Sequence, residues 1–249
     1  MQSFLCYAFV LVSGILFGIV AECATFFFTI QIMEKDDSHI SIKAARKDSI
    51  KFSNIFLLLK GRWCSYGTKA RVGHLLVILL NCFLYIIVYM ANGLNMQGIL
   101  YCLMTSAFLV ISIVDESTFE IPLPCNLFIG GIGIIMCVYD FEHIVDYLIG
   151  FIAVSGVLYL LYLLSGGALI GGGDVKLMAA AGLLLGWKKT TLAFLVACIL
   201  GAVIHSIRMR VSKKEHMLAM GPYLCAALWI CALWGDAMVA WYFGQMIRH

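Results

Sequence analysis

Long apolar runs separated by short polar breaks leave this chain few folds to choose from. A helix that crosses a bilayer needs ~20 predominantly apolar residues. Eight stretches approach or exceed that length, near 4–31, 72–91, 98–114, 125–139, 144–165, 176–187, 190–207 and 218–245. In lipid every backbone N–H and C=O must be satisfied within the segment, so such runs fold as helices. Only 12% of the residues are charged, against roughly 25% in soluble domains. The expected fold is all-α: a polytopic membrane bundle of about eight transmembrane helices. The first run has no basic leading region and no small-residue cleavage site, so it reads as a span and not as a removable signal. The run at 176–187 is short for a span.

Lysines and arginines orient the bundle. The stretch 34–71 carries Lys35, Lys43, Arg46, Lys47, Lys51, Lys60, Arg62, Lys69 and Arg71, and the stretch 208–216 adds Arg208, Arg210, Lys213 and Lys214. If eight spans alternate, both stretches share one side, which is then the cytoplasm. The segments 115–124 and 166–175 fall on that side too. The other side receives Asp140, Glu142 and Asp146 with Lys188, Lys189 and Arg248. The organisation expected is residues 1–71, a first transmembrane helix plus a short basic cytoplasmic loop, followed by a membrane-embedded domain over 72–249. A basic, weakly amphipathic loop of this kind rests on anionic lipid headgroups or docks a substrate. The net charge of +3 gives no basis for a nucleic-acid partner. The ten cysteines are scattered and form no Cys-x-x-Cys pair, so neither a disulfide framework nor a zinc ribbon is expected.

Against this apolar background two aspartates stand out. Gly171, Gly172 and Gly173 lead directly into Asp174, with Lys176 two residues on. An acid at a membrane boundary is costly and therefore a functional candidate. Glycines remove side chains beside it and allow backbone geometries closed to other residues. Asp115 closes the third run on the same side, and Pro122 and Pro124 then bias the chain toward extended backbone. Two facing carboxylates cannot both ionise cheaply and can share a proton. Such a pair can activate water against a peptide carbonyl without a metal or cofactor. On this chemistry alone three readings stay open: paired catalysis, a proton or ion relay, and plain interfacial solvation.

The wording of these segments narrows the choice. Asp115 followed by six residues and Pro122, with Ile121 before the proline, resembles the first aspartate motif of the type IV prepilin peptidases. Gly172-Gly173-Asp174-Val175-Lys176-Leu177-Met178-Ala179-Ala180-Ala181-Gly182, with Gly186-Trp187 beyond, is similar to their second. Gly221-Pro222-Tyr223-Leu224 resembles their late Gly-Pro element. The three occur in family order over about residues 72–235. The resemblance implies a membrane aspartic endopeptidase of the Gly-x-Gly-Asp type, with Asp115 and Asp174 catalytic and no cofactor. It would remove the short basic leader of type IV prepilins or pseudopilins on the cytoplasmic face of the cell membrane. Gly171 to Gly173, Lys176 and Pro122 would support the site. Glu22, Glu116 and Glu120 are candidates to bind the leader, although each also reads as an internally bonded or solvated acid. Many members carry two Cys-x-x-Cys pairs in an N-terminal cytoplasmic region and also methylate the new N-terminus. Here only Cys64, in Gly61-Arg62-Trp63-Cys64-Ser65-Tyr66-Gly67, remains of such a region. Neither a zinc site nor methyl transfer is expected. The competing reading is a small proton-linked transporter, which would need acids near the bilayer midplane and inverted repeats. A pilin-binding assembly factor without proteolysis is a third.

Overall fold

A computed structural model describes residues 2–36, 68–167, 170–211 and 219–246. Among them the elements are α1 (Gln2–Asp36), α2 (Thr68–Asn92), α3 (Met96–Thr118), α4 (Leu123–Tyr139), α5 (Ile144–Ser165), α6 (Gly172–Val211) and α7 (Gly221–Met246), with one 3-10 turn at Phe141–His143. No strand occurs among the described residues. Six of the helices are long and apolar enough to cross a membrane, and α4 is a shorter apolar helix. The basic stretch expected to touch lipid or substrate lies, between residues 37 and 67, outside the described residues, as does Cys64.

The expected spans 176–187 and 190–207 form one element, α6, broken at Gly186. Gly186 has φ 78 and ψ 167, a conformation essentially confined to glycine. The chain reverses there. Lys189 Nζ pairs with Asp236 Oδ2 of α7 at 2.7 Å, so residue 189 sits level with 236. By helix rise, Gly221 lies about 22 Å from that level, and Val211 lies about 33 Å from it in whichever direction α6 continues. Ten residues reach at most ~36 Å. They can join 211 to 221 only if the second half of α6 runs back alongside α7. The short run thus becomes half of a helical hairpin, and the described residues form eight α-helical segments, six of the seven helices being long enough to span, roughly as the hydropathy implied.

The helix most enclosed by its neighbours is α3. It packs on α1, α2, α4 and α7. Small and polar residues set these contacts, as is usual where lipid removes the hydrophobic drive between helices. Gly14 and Gly18 let α1 approach α2: a Cβ on either would stand 3.1 Å from Cys82 Cα or 3.2 Å from Ile78 Cα. Asn81 Nδ2 donates to the Gly14 carbonyl at 2.9 Å, and Asn81 Oδ1 accepts from Ser106 Oγ at 3.0 Å. Tyr85 OH shares a 2.8 Å hydrogen bond with the same Ser106 hydroxyl. Trp229 Nε1 donates to Thr105 Oγ1 at 3.0 Å and ties α7 to α3. Asn95 caps α3, accepting from Gly98 N–H at 2.7 Å, a contact worth about 1 kcal/mol.

Asp140 and Asp146 at the far end are held by neighbouring side chains. Asp140 accepts from Tyr147 OH at 2.8 Å and meets His143 Nδ1 at 2.9 Å. The hydrogen bond with His143 holds its carboxyl below the usual carboxylate range. Asp146 accepts from Trp187 Nε1 at 3.0 Å. These contacts pin the Gly186 reversal to the α4–α5 turn.

Candidate active site

Connectivity gathers the C-terminus of α3, the α3–α4 connection and the N-termini of α6 and α7 at one end of the bundle. The C-terminus of α1 and the start of α2 lie at that end as well, because α2 and α3 are joined at the other. Asp115 occupies the last turn of α3 and is 4% exposed. Asp174 is the third residue of α6 and is partly buried. Separated by 59 positions in sequence, the two approach closely enough for the charge of Asp115 to act on Asp174.

Each carboxyl meets a helix N-terminus. Asp115 Oδ2 accepts a hydrogen bond from Gly221 N–H, the first residue of α7, at 2.8 Å. Asp174 N–H donates to the Gly171 carbonyl at 3.1 Å, and the Gly171 backbone N–H hydrogen-bonds back to the Asp174 carboxyl. The Asp174 side chain reaching back to the Gly171 N–H is one half of a capping box; glycine has no side chain to supply the other. The positive ends of two helix dipoles therefore converge on the pair. They supply the compensation that two acids removed from water require. Cys225, one turn into α7 and 3% exposed, lies within electrostatic reach of both carboxyls and hydrogen-bonds with Ser112.

The glycines matter here for what they lack, not for unusual backbone angles. Among the described glycines, positive φ occurs at Gly93, Gly166, Gly167 and Gly186, and not at Gly171, Gly172 or Gly173. A Cβ on Gly173 would stand 3.0 Å from Ile121 Cβ, and one on Gly171 would stand 3.1 Å from Asp174 Oδ2. Ile121 can therefore lie directly on the α6 N-terminus, which locks the α3–α4 connection against the Asp174 turn. Pro122 is the N-cap of α4, with φ −61 and ψ 124, and aims that connection. Of the two properties expected of these glycines, the missing side chains are what the structure uses, and the special backbone geometry is not taken up.

Gly221 is the tightest position of the site. A Cβ there would lie 2.6 Å from Asp115 Oδ2 and 2.8 Å from Cγ. Gly221→Ala is expected to push the Asp115 carboxyl off the α7 N-terminus. Activity should then fall by about 10²-fold, the scale set by a 1 Å misplacement of a reacting group. Cleavage kinetics check the loss, and an unchanged thermal unfolding midpoint attributes it to geometry.

The remaining candidates are dispersed. Glu22 pairs with His74 Nδ1 at 2.5 Å, linking α1 to α2. Glu116 and Glu120 are exposed on either side of the α3 C-terminus, and Lys176 is exposed on α6. No group of three or more His, Cys, Asp or Glu that could hold a metal occurs among the described residues. Two residues escaped the sequence reading. Asn126 is 4% exposed and its Nδ2 donates to the Gly173 carbonyl at 3.4 Å. A lone amide in an apolar run, four residues past Pro122, was the available signal. Tyr162 lies 3.7 Å from where a Gly172 Cβ would be, and one more aromatic in an apolar helix carries no signal.

Residues 102–206 match the type IV leader peptidase family. The chain is 32% identical over 202 residues to a prepilin leader peptidase/N-methyltransferase of Aeromonas salmonicida, covering 77% of this chain and 68% of that one. It is 31% identical to the Aeromonas hydrophila protein of the same name, covering 75% of this chain and 67% of that one. The Pseudomonas aeruginosa protein of that name is also 31% identical, over 75% and 67% of the two chains. No solved structure matches.

Proposed function

The chain belongs to the type IV leader peptidase family, and we propose that Asp115 and Asp174 are the carboxyls with which it cuts. It is a multi-pass membrane protease that processes type IV prepilins. The transporter alternative falls with the family assignment. What supports the proposed dyad is the meeting of two sequence-distant acids at two helix N-termini. One carboxylate accepts a proton from water as that water attacks the scissile carbonyl carbon. The other carboxyl donates its proton toward the carbonyl oxygen, which becomes the hydroxyl of a gem-diol. Proton return to the leaving nitrogen then breaks the C–N bond and regenerates the shared proton. Helix dipoles fixed in place stabilise charge without reorganising as the reaction proceeds. The pair acts as a unit, with no fixed assignment of the starting proton.

The dyad end faces the cytoplasm of the inner membrane in this reading. The support is electrostatic: the stretches 34–71 and 208–216, with thirteen lysines and arginines, join helix ends on the dyad side. Exposed Glu116 and Glu120 then meet the basic leader, and the basic stretch meets anionic lipid headgroups. Residues 72–249 form the peptidase domain, with 1–71 as a reduced N-terminal region.

Incubating the purified protein with a candidate prepilin tests the reading. Cleavage before the apolar segment, unaffected by a chelator, is expected. Mass spectrometry of the product should show a free, unmethylated N-terminus, because stretch 34–71 holds a single cysteine where four zinc ligands are needed. A methylated product would show that this chain transfers methyl groups as its relatives' names state.

A further inference from the structure

Phe119 is strained, exposed and adjacent to the dyad. It has φ 56 and ψ 21, and it is the one non-glycine residue with positive φ among those described. For a bulky side chain that conformation is a genuine outlier, and glycine is its usual occupant where helices end this way. Thr118 Oγ1 braces the bend, accepting from Glu120 N–H at 3.4 Å. Packing does not offset the strain: the ring is 49% exposed and stands outside the hydrophobic core. A glycine would serve the turn better, so the ring is retained for something beyond the folded chain. Strained residues of this kind cluster at functional sites.

Its place says which function. Phe119 N–H donates to the Asp115 carbonyl at 2.8 Å. Two residues further on, Ile121 lies on Gly173 beside Asp174. Phe119 thus stands on the short segment that joins the two halves of the dyad. The exposed acids Glu116 and Glu120 flank it in sequence. Exposed Leu123 and Leu127 lead away from it along α4. Acids flanking an aromatic ring, with apolar side chains beyond, complement the junction of a basic leader with an apolar helix. We propose that the Phe119 ring is the wall against which the first turn of the precursor's apolar segment lies, making it a specificity residue for the side of the cut bond that the mature protein keeps. The inference rests on the prepilin-peptidase reading above.

Full-length wild type, Phe119→Gly and Phe119→Leu are compared on two substrates: an intact prepilin, and the same leader with its apolar segment truncated just past the cut. For intact prepilin, Phe119→Gly should raise KM roughly tenfold, the scale of losing one buried aromatic contact. Its kcat should stay within about twofold, the signature of lost uniform binding. Its thermal unfolding midpoint should equal or exceed that of wild type, because strain is relieved. Phe119→Leu should restore part of the affinity. On the truncated substrate wild type and Phe119→Gly should match. An unchanged KM on intact prepilin overturns the inference, as does a lower midpoint with a parallel loss of kcat, which would mark Phe119 as a structural or lipid-anchoring residue. A wild type that leaves prepilin uncut overturns the parent reading and this inference together; a cutting wild type with an indifferent Phe119→Gly overturns this inference alone.

Discussion

Asp115→Asn and Asp174→Asn will each abolish leader cleavage while leaving the fold intact. Asparagine keeps the size and one acceptor oxygen of aspartate, so position 115 can still accept from Gly221 N–H. What it loses is the capacity to take up or give a proton. General acid–base catalysis contributes about 10²–10⁴-fold per group, and a dyad that works as one unit loses most of its rate when either half is removed. Cleavage of a coexpressed or purified prepilin reads the activity, and the thermal unfolding midpoint reads the fold. Full cleavage by either variant would remove that acid from the mechanism.

The largest loss of stability is expected from Gly182→Ala. At the α5–α6 crossing, Gly150 and Gly182 bring two backbones into contact. A Cβ on Gly182 would lie 2.1 Å from the Gly150 carbonyl oxygen, and one on Gly150 would lie 2.5 Å from the Gly182 oxygen. Neither obstacle is a side chain that can rotate away. The helices must separate, and overpacking of this kind costs typically 1–3 kcal/mol and occasionally more. Here the separation also loosens the first half of α6, which carries Asp174. A sharp fall in the unfolding midpoint in mild detergent is expected, with reduced accumulation in cells. Gly131→Ala in α4 is the control: its added Cβ meets nothing within 4 Å, and it should leave the midpoint within about 0.5 kcal/mol of wild type.

Much of this molecule was legible because lipid imposes simple rules. Apolar runs gave the all-α bundle and roughly its helix count, and Asp115 and Asp174 announced themselves as acids at the edges of apolar runs. Their proximity was a topological possibility in the sequence, and the folded chain brings them within electrostatic reach of each other. Of the two properties read from Gly171 to Gly173, the missing side chains matter there, making space for Ile121 and the Asp174 carboxyl, while special backbone angle matters instead at Gly186. Hydropathy could not reveal that Gly186 converts a short run and its successor into a hairpin, because a one-residue break leaves no polar gap. The partners of the far-end acids Asp140, Asp146 and Asp236, namely Tyr147, Trp187 and Lys189, are set by tertiary packing and leave no mark in the sequence. The α1–α2 seam could be read in part from Gly14 and Gly18 at helical spacing. Its polar network through Asn81, Ser106 and Tyr85 could not, since pairing between helices leaves no trace in the spacing of either one.

The most direct test of the central claim is single-turnover cleavage of one prepilin by Asp115→Asn, Asp174→Asn and the double variant, measured under identical conditions. If the two carboxyls form one proton-sharing device, the double variant will cleave no more slowly than the worse single variant. Losses that instead multiply, each single variant keeping measurable activity that the double one compounds away, would mean that the two acids act independently.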